Sequence, residues 1–262
     1  MEFPEILQPY ADDLLKTKSD SIHITISEES TKRLQSKFAG EPYWLKDQPY
    51  PLGEDGHPLT LLAQINFDEI NGSIEHFPTT GILQFFVATT GEYGQHLSNP
   101  LTQDNFRIIY HDTIETDESK WLMDIPEAVD DEFPIFAEDL ALSFEKSEEL
   151  VSATDFRFFE YFEDKGIFDR DDDLYEEIDE LYTEEFYHGQ GHKLGGYPFF
   201  TQDDPRIGGE YPEHLIQLLQ IDTDDDSDLI MWGDSGAGHF FITEDDLINR
   251  DFSNVLYWWD CY

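Results

Sequence analysis

The chain has 262 residues, 59 of them Asp or Glu and only 15 Lys or Arg, which leaves a net charge of −44 at neutral pH. A surface of that sign repels nucleic acid and anionic lipid, so it argues against DNA, RNA or membrane-surface binding. With 21 Phe, 13 Tyr and 5 Trp the chain still carries the apolar mass of a real core, which argues against disorder.

A folded protein of this mass exposes about 12,000 Å². That is roughly one net charge per 270 Å², spaced about 16 Å apart, some two Debye lengths at physiological salt. Repulsion is therefore tolerable in a cell and costly at low ionic strength, and the melting temperature is expected to rise with added salt. A thermal-shift series in NaCl checks this, and a flat or falling curve contradicts it. Cys261 is the sole cysteine, so no intramolecular disulfide forms. The opening Met-Glu-Phe-Pro-Glu has neither a basic nor an apolar region of the kind a signal peptide needs. No apolar run approaches the roughly 20 residues of a membrane helix. A cytoplasmic protein is expected.

In chain order, an amphipathic N-terminal helix is expected over residues 5–17, with Ile6, Tyr10 and Leu14 on one face and Pro9 delaying or kinking it. Residues 21–27 alternate through Ile22, Ile24 and Ile26 as a half-buried strand. A short helix over 31–38 runs into Gly40 and Pro42, and residues 41–58, with four prolines, form a rigid loop. Apolar strands follow at 59–67, 81–89 and 106–114. The acidic, turn-rich stretch 115–139, broken by Pro126 and Pro134, marks a seam between two halves of about 20–125 and 140–262. Strands are expected at 140–145 and 156–162, and the strongest helix at 171–187, with Leu174, Ile178, Leu181, Tyr182 and Phe186 on one stripe. Segments 215–222, 229–232, 239–243 and 255–261 complete the strands.

The halves repeat one another. Shifted by 156 positions, residues 37–68 lie on 193–224 without a gap, and twelve of 32 pairs are identical, among them Lys37/Lys193, Gly40/Gly196, Pro42/Pro198, Gln64/Gln220 and Asp68/Asp224. Chance supplies roughly two or three such matches. One position out of step, Phe85-Phe86-Val87 lies on Phe240-Phe241-Ile242. The chain is thus read as one α+β domain over 1–262, mainly antiparallel β-sheet with few helices, built from two duplicated halves related by pseudo-twofold symmetry.

Several motifs invite a chemical reading and fail it. Asp169, Asp171, Asp173 and Glu180 fit a calcium loop except that Leu174 stands where the sharp turn needs Gly, and the segment reads as helix. The acidic run 222–228 lacks the same Gly and reads as a solvated turn. Gly233-Asp234-Ser235-Gly236 resembles the nucleophile loop of trypsin-like proteases, yet no histidine has that family's Ala-His-Cys setting; a tight turn is expected. His188 and His192 are four apart, but Gly189 and Gly191 between them oppose the helix that would bring them together on zinc. No metal, cofactor or catalytic set is expected. The duplicated pairs are more telling. Lys37, Gln64, Lys193 and Gln220, with Trp44 and its counterpart Phe200, either line a cleft shared by the halves or anchor each Gly/Pro loop to its strand.

The same segments carry a family resemblance. Ser36-Lys37-Phe38-Ala39-Gly40-Glu41-Pro42-Tyr43-Trp44, followed by Pro58-Leu59 and Leu62-Ala63-Gln64-Ile65-Asn66, resembles the first signature of the YwqG family of bacterial proteins. Lys193-Leu194-Gly195-Gly196-Tyr197-Pro198, Leu218-Leu219-Gln220-Ile221-Asp222 and Met231-Trp232-Gly233-Asp234-Ser235-Gly236 resemble the second. The likeness spans roughly 20–262, and Ala39 departs from it where the family has a second Gly. It implies a cytosolic bacterial protein and transfers no catalytic residue. Two classes of function are compatible with these features. One is a non-catalytic interaction protein whose acidic surface engages a basic protein, an antitoxin- or immunity-like role being one form. The other is an enzyme or metal-dependent small-molecule binder with a carboxylate-lined cleft between the halves.

Overall fold

Among the described residues every strand pair is antiparallel, and the strands join into one ten-stranded sheet that curls into a half-barrel. The computed structural model describes residues 3–89, 92–129, 134–158, 181–182, 189–224 and 227–262. Its strands are β1 (Ser19–Ser27), β2 (Lys37–Phe38), β3 (Thr60–Asn66), β4 (Ile82–Val87), β5 (Phe106–His111), β6 (Leu140–Glu149), β7 (His192–Gly195), β8 (Ile216–Asp222), β9 (Ala237–Ile242) and β10 (Leu256–Asp260). The order across the sheet is β10-β9-β8-β7-β1-β6-β2-β3-β4-β5. Among the described residues the helices are α1 (Ala11–Leu14), α2 (Glu244–Asn249) and short 3-10 turns, with further helical residues at 157–158 and 181–182.

The centre of the sheet is the long β1·β6 ladder, from Ser19 opposite Glu149 to Ser27 opposite Ala141. On its far sides β1 pairs with β7 and β6 with β2. Each wing therefore begins with a strand from the other end of the sequence. The wings β2–β5 and β7–β10 fold toward each other. Their concave faces meet in an aromatic core where Phe85 lies 4.9 Å from Phe240 and Phe106 lies 5.1 Å from Tyr257. Ile22, Ile24, Phe38, Leu140 and Leu194 bring the central strands into the same core. Burial of this kind contributes about 1.5–3 kcal/mol per large apolar side chain.

Several expected elements are corrected. Residues 31–38 form no helix: the carbonyls of Arg33 and Gln35 are taken by the Gln64 amide and that of Leu34 by Asn66, so none is left for helical bonding. The N-terminal segment is helical but broken, with 3-10 turns at Glu5–Tyr10 and Leu15–Thr17 flanking α1, because Pro9 cannot donate to a continuous ladder. Of the strand expected at 156–162, Phe156 is a turn and Arg157 and Phe158 are helical, with Asp204 accepting from the Phe156 N–H at 3.0 Å, while 159–162 lie outside the described residues. Leu229 to Trp232 makes only the isolated Phe136–Ile230 bridge. The expected helix 171–187, apart from the helical Leu181 and Tyr182, and the calcium-like positions lie outside the described residues.

Candidate functional site

The loop 41–58 closes over the convex face of β3 and β4, and a layer of buried amides lies beneath it. Gln64 Oε1 accepts from the Tyr43 N–H and from Gln84 Nε2, both at 2.8 Å, while its Nε2 donates to the Arg33 and Gln35 carbonyls at 2.9 and 2.8 Å. Gln220 repeats the arrangement: Oε1 accepts from the Phe199 N–H at 2.9 Å, and Nε2 donates to the Gly189 and Gly191 carbonyls. Tyr43/Phe199, Arg33/Gly189 and Gln35/Gly191 are each 156 positions apart, as are the two glutamines. A buried amide needs all its partners, and here they fix the path of a loop.

The two lysines differ where the glutamines agree. Lys37 pairs across the sheet with Gln64, and Lys193 with Gln220. Both are buried. Lys193 Nζ sits 2.9 Å from Glu149 Oε2, which also accepts from the Tyr197 N–H at 3.1 Å, while Glu149 Oε1 lies 3.0 Å from His23 Nε2. Burial alone would raise the Glu149 carboxyl, but Lys193, His23 and the Tyr197 N–H overcome it and hold it at about 2. Gly196, at φ +69°, lets the chain pass this carboxylate; a Cβ there would lie 2.2 Å from Glu149 Oε2. Lys37 has no carboxylate within 4 Å among the described residues; its ammonium donates to the Glu41 carbonyl at 2.9 Å. Burial and then Arg33 push it down to about 8, against the weaker pull of Asp139, Glu41 and Glu69.

Trp44 is packed among Tyr50, Phe86 and His111, its Nε1 donating to the Gln48 carbonyl at 3.1 Å. Two residues that the sequence did not single out complete this layer. Gln84 donates to the Tyr43 carbonyl and accepts from His111 Nε2 at 2.9 Å. Neither is matched in the repeat, where His239 and Asp260 occupy the corresponding sheet positions, so identity between the halves could not flag them. Burial lowers both His111 and His192 to about 4, and His192 Nδ1 accepts from the Asp222 N–H at 3.0 Å, which a neutral ring allows.

These histidines set a pH dependence. Their folded values lie below the unfolded 6.5, so from pH 6.5 to 5 the unfolded chain binds more protons and stability falls as pH drops. Each histidine is expected to cost about 2 kcal/mol by pH 5. Urea denaturation at pH 7, 6 and 5 checks this, and a stability unchanged over that range contradicts it.

A cavity lies where β1, β7 and β8 meet the loop 74–77. It encloses about 430 Å³ and is lined by Lys18, Asp20, Glu75, His76, Arg157 and the Gly195-Gly196 backbone, among others. Its charged groups are mixed in sign: Lys18 pairs with Glu148, and Asp20 with Lys146. None of Lys37, Trp44, Gln64, Lys193 or Gln220 lines it. Among the described residues no three His, Cys, Asp or Glu side chains are grouped to hold a metal ion, and no helix is long and apolar enough to cross a membrane. His188 lies outside those residues.

The repeated Gly/Pro loops, their glutamine anchors and the turn that seats the buried Trp232 fall within residues 36–261, which match the model of a domain of unknown function, DUF1963. The chain belongs to the DUF1963 family. No curated protein matches it. In this DUF1963 chain the Met231–Gly236 stretch is a structural turn: Trp232 is fully buried against Gly238, where a Cβ would lie 2.4 Å from its ring, and Gly233 and Ser235 take positive φ. The match begins at residue 36 and so leaves β1, the strand at the middle of the sheet, outside it.

Proposed function

We propose that the protein is a non-catalytic binding protein whose acidic surface engages a basic protein partner. The observation that carries this reading is the division of charge. The buried cations Lys193 and Arg206 hold buried carboxylates, Glu149 and the Asp155/Asp204 pair, so their charge does not reach the surface. Exposed carboxylates gather at one end of the central ladder instead. Ser27 stands opposite Ala141, so Glu28 and Glu29 leave β1 where Glu138 and Asp139 enter β6; all four are exposed. Treated as a sphere of radius about 22 Å, a net charge of −44 gives a surface potential of about 2 kcal/mol per unit charge at physiological salt. That field speeds encounter with a cation and repels anions. Replacing Glu28, Glu29 and Glu138 by Gln is expected to slow association with the partner at least about tenfold, with a matching loss when salt is raised. Association indifferent to both would overturn the reading.

The same reading takes the two wings as copies of one unit that have exchanged their first strands about a pseudo-twofold axis through the β1·β6 ladder, near Thr25 opposite Ser143. Supporting it are the shared glutamine anchors, the matching bulges at Leu61/Ala63 and Gln217/Leu219, and the pairing of Phe38 with Leu140 and of Leu194 with Ile22. The YwqG resemblance supports a cytosolic, bacterial setting. A second reading, an enzyme or metal-dependent small-molecule binder with acidic groups in a cleft between the halves, draws on the 430 Å³ cavity with Asp20, Glu75 and His76. Saturable binding of a divalent cation that is lost in Asp20→Asn would favour it.

A further inference from the structure

We propose that a second cavity, between the outer edge of β5 and the connection from α2 to β10, binds a small organic acid through a single carboxylate. It is an open groove of about 460 Å³, within the range of small-molecule pockets, and is lined by Arg107, Ile109, Tyr110, Arg250, Phe252 and Ser253, among others. The arginines point to the ligand. Arg33, Arg157 and Arg206 each hold a carboxylate, Glu41 at 2.8 Å, Asp155 at 2.6 Å and Asp204 at 2.7 Å respectively. Among the described residues Arg107 and Arg250 hold none, in a chain with 59 acidic residues to choose from, and both line this one cavity.

Their remaining bonds are to backbone only. Arg107 Nη2 donates to the Gln103 carbonyl at 2.9 Å, while its Nε is buried without a partner. Arg250, held at φ +59° as α2 ends, donates through Nη1 to the His76 and Leu247 carbonyls. Among the described residues Arg107 Nη1 and Arg250 Nε and Nη2 have no protein acceptor, so the two guanidiniums keep donors for the two oxygens of a carboxylate. The walls suit an apolar or aromatic body, since the Tyr110 ring lies 5.6 Å from that of Phe252 and the Tyr110 hydroxyl is engaged by the Thr80 carbonyl. The net charge selects a monoanion, because a second negative charge on the ligand meets the repulsion of the whole molecule again.

The test is a titration of the full chain with benzoate, followed through the arginine Nε–Hε resonances. Saturable binding that moves the Arg107 and Arg250 signals is expected, with Arg107→Gln and Arg250→Gln each weakening it at least about tenfold. Acetate, which lacks the body, and inorganic phosphate, which carries more charge, are expected to bind more weakly than benzoate. Benzoate that shifts neither guanidinium in the wild-type chain would overturn the assignment, whatever the variants do. So would affinity unchanged in both variants, or phosphate binding more tightly than benzoate.

Discussion

A chain cut at the start of the family match, residues 36–262, is expected not to fold. The cut removes β1 and with it both ladders that join the wings, nine residue pairs to β6 and four to β7. Buried Ile22 and Ile24 leave the core, and β6 and β7 become open edges facing each other across the gap. The segment before β1 matters less to the sheet. Phe3, Leu7 and Leu14 pack in a separate cluster with Leu150, Val151 and Tyr197. A chain of residues 19–262 is therefore expected to keep the sheet at lower stability. Circular dichroism and thermal melting of both chains read the difference. A cooperative melt of 36–262 within about 10 °C of full length would contradict the central place given to β1, since a shift that small corresponds to only a few kcal/mol.

The second large effect separates two lysines that the repeat makes equivalent. Lys193→Met strands the Glu149 carboxylate in the interior, and losing one partner of a buried pair costs about 3–5 kcal/mol. Lys37→Met removes an ammonium that burial already disfavours and that has only one carbonyl bond, so it is expected to leave the protein at least as stable at pH 7. The pH profile gives an independent reading. Lys37 titrates at about 8 when folded and about 10.5 when unfolded, so between those values the unfolded chain binds more protons and wild-type stability rises with pH. Lys37→Met should lack that rise. Urea denaturation at pH 7 and 9.5 tests both points. They fail if Lys37→Met loses as much as Lys193→Met.

Local pattern was enough to locate most strands: alternation through Ile22, Ile24 and Ile26 marked 21–27, and an apolar run marked 59–67, each within a few residues of β1 and β3. Repetition then singled out Lys37, Gln64, Lys193 and Gln220 before any partner was known. What no local pattern contains is which strand pairs with which. The pairing of β1 with β6 joins residues more than a hundred positions apart, and nothing in residues 21–27 names that partner. The region 31–38 reads as helix because its composition permits one, while the side chains that claim its carbonyls, Gln64 and Asn66, lie some thirty positions away. His111 and the two arginines that hold no carboxylate among the described residues were missed for a related reason. Arg107 and Arg250 are 143 positions apart in sequence, and only the folded sheet sets them on one cavity.

The acidic surface is expected to have a basic protein partner. Affinity capture from a bacterial lysate at physiological salt, with the proteins retained identified by mass spectrometry, tests that most directly. The expected result is one basic protein recovered near one-to-one, released by raised salt and not retained by the Glu28→Gln, Glu29→Gln, Glu138→Gln variant. Retention of no basic protein, or retention that ignores both salt and the variant, would contradict it.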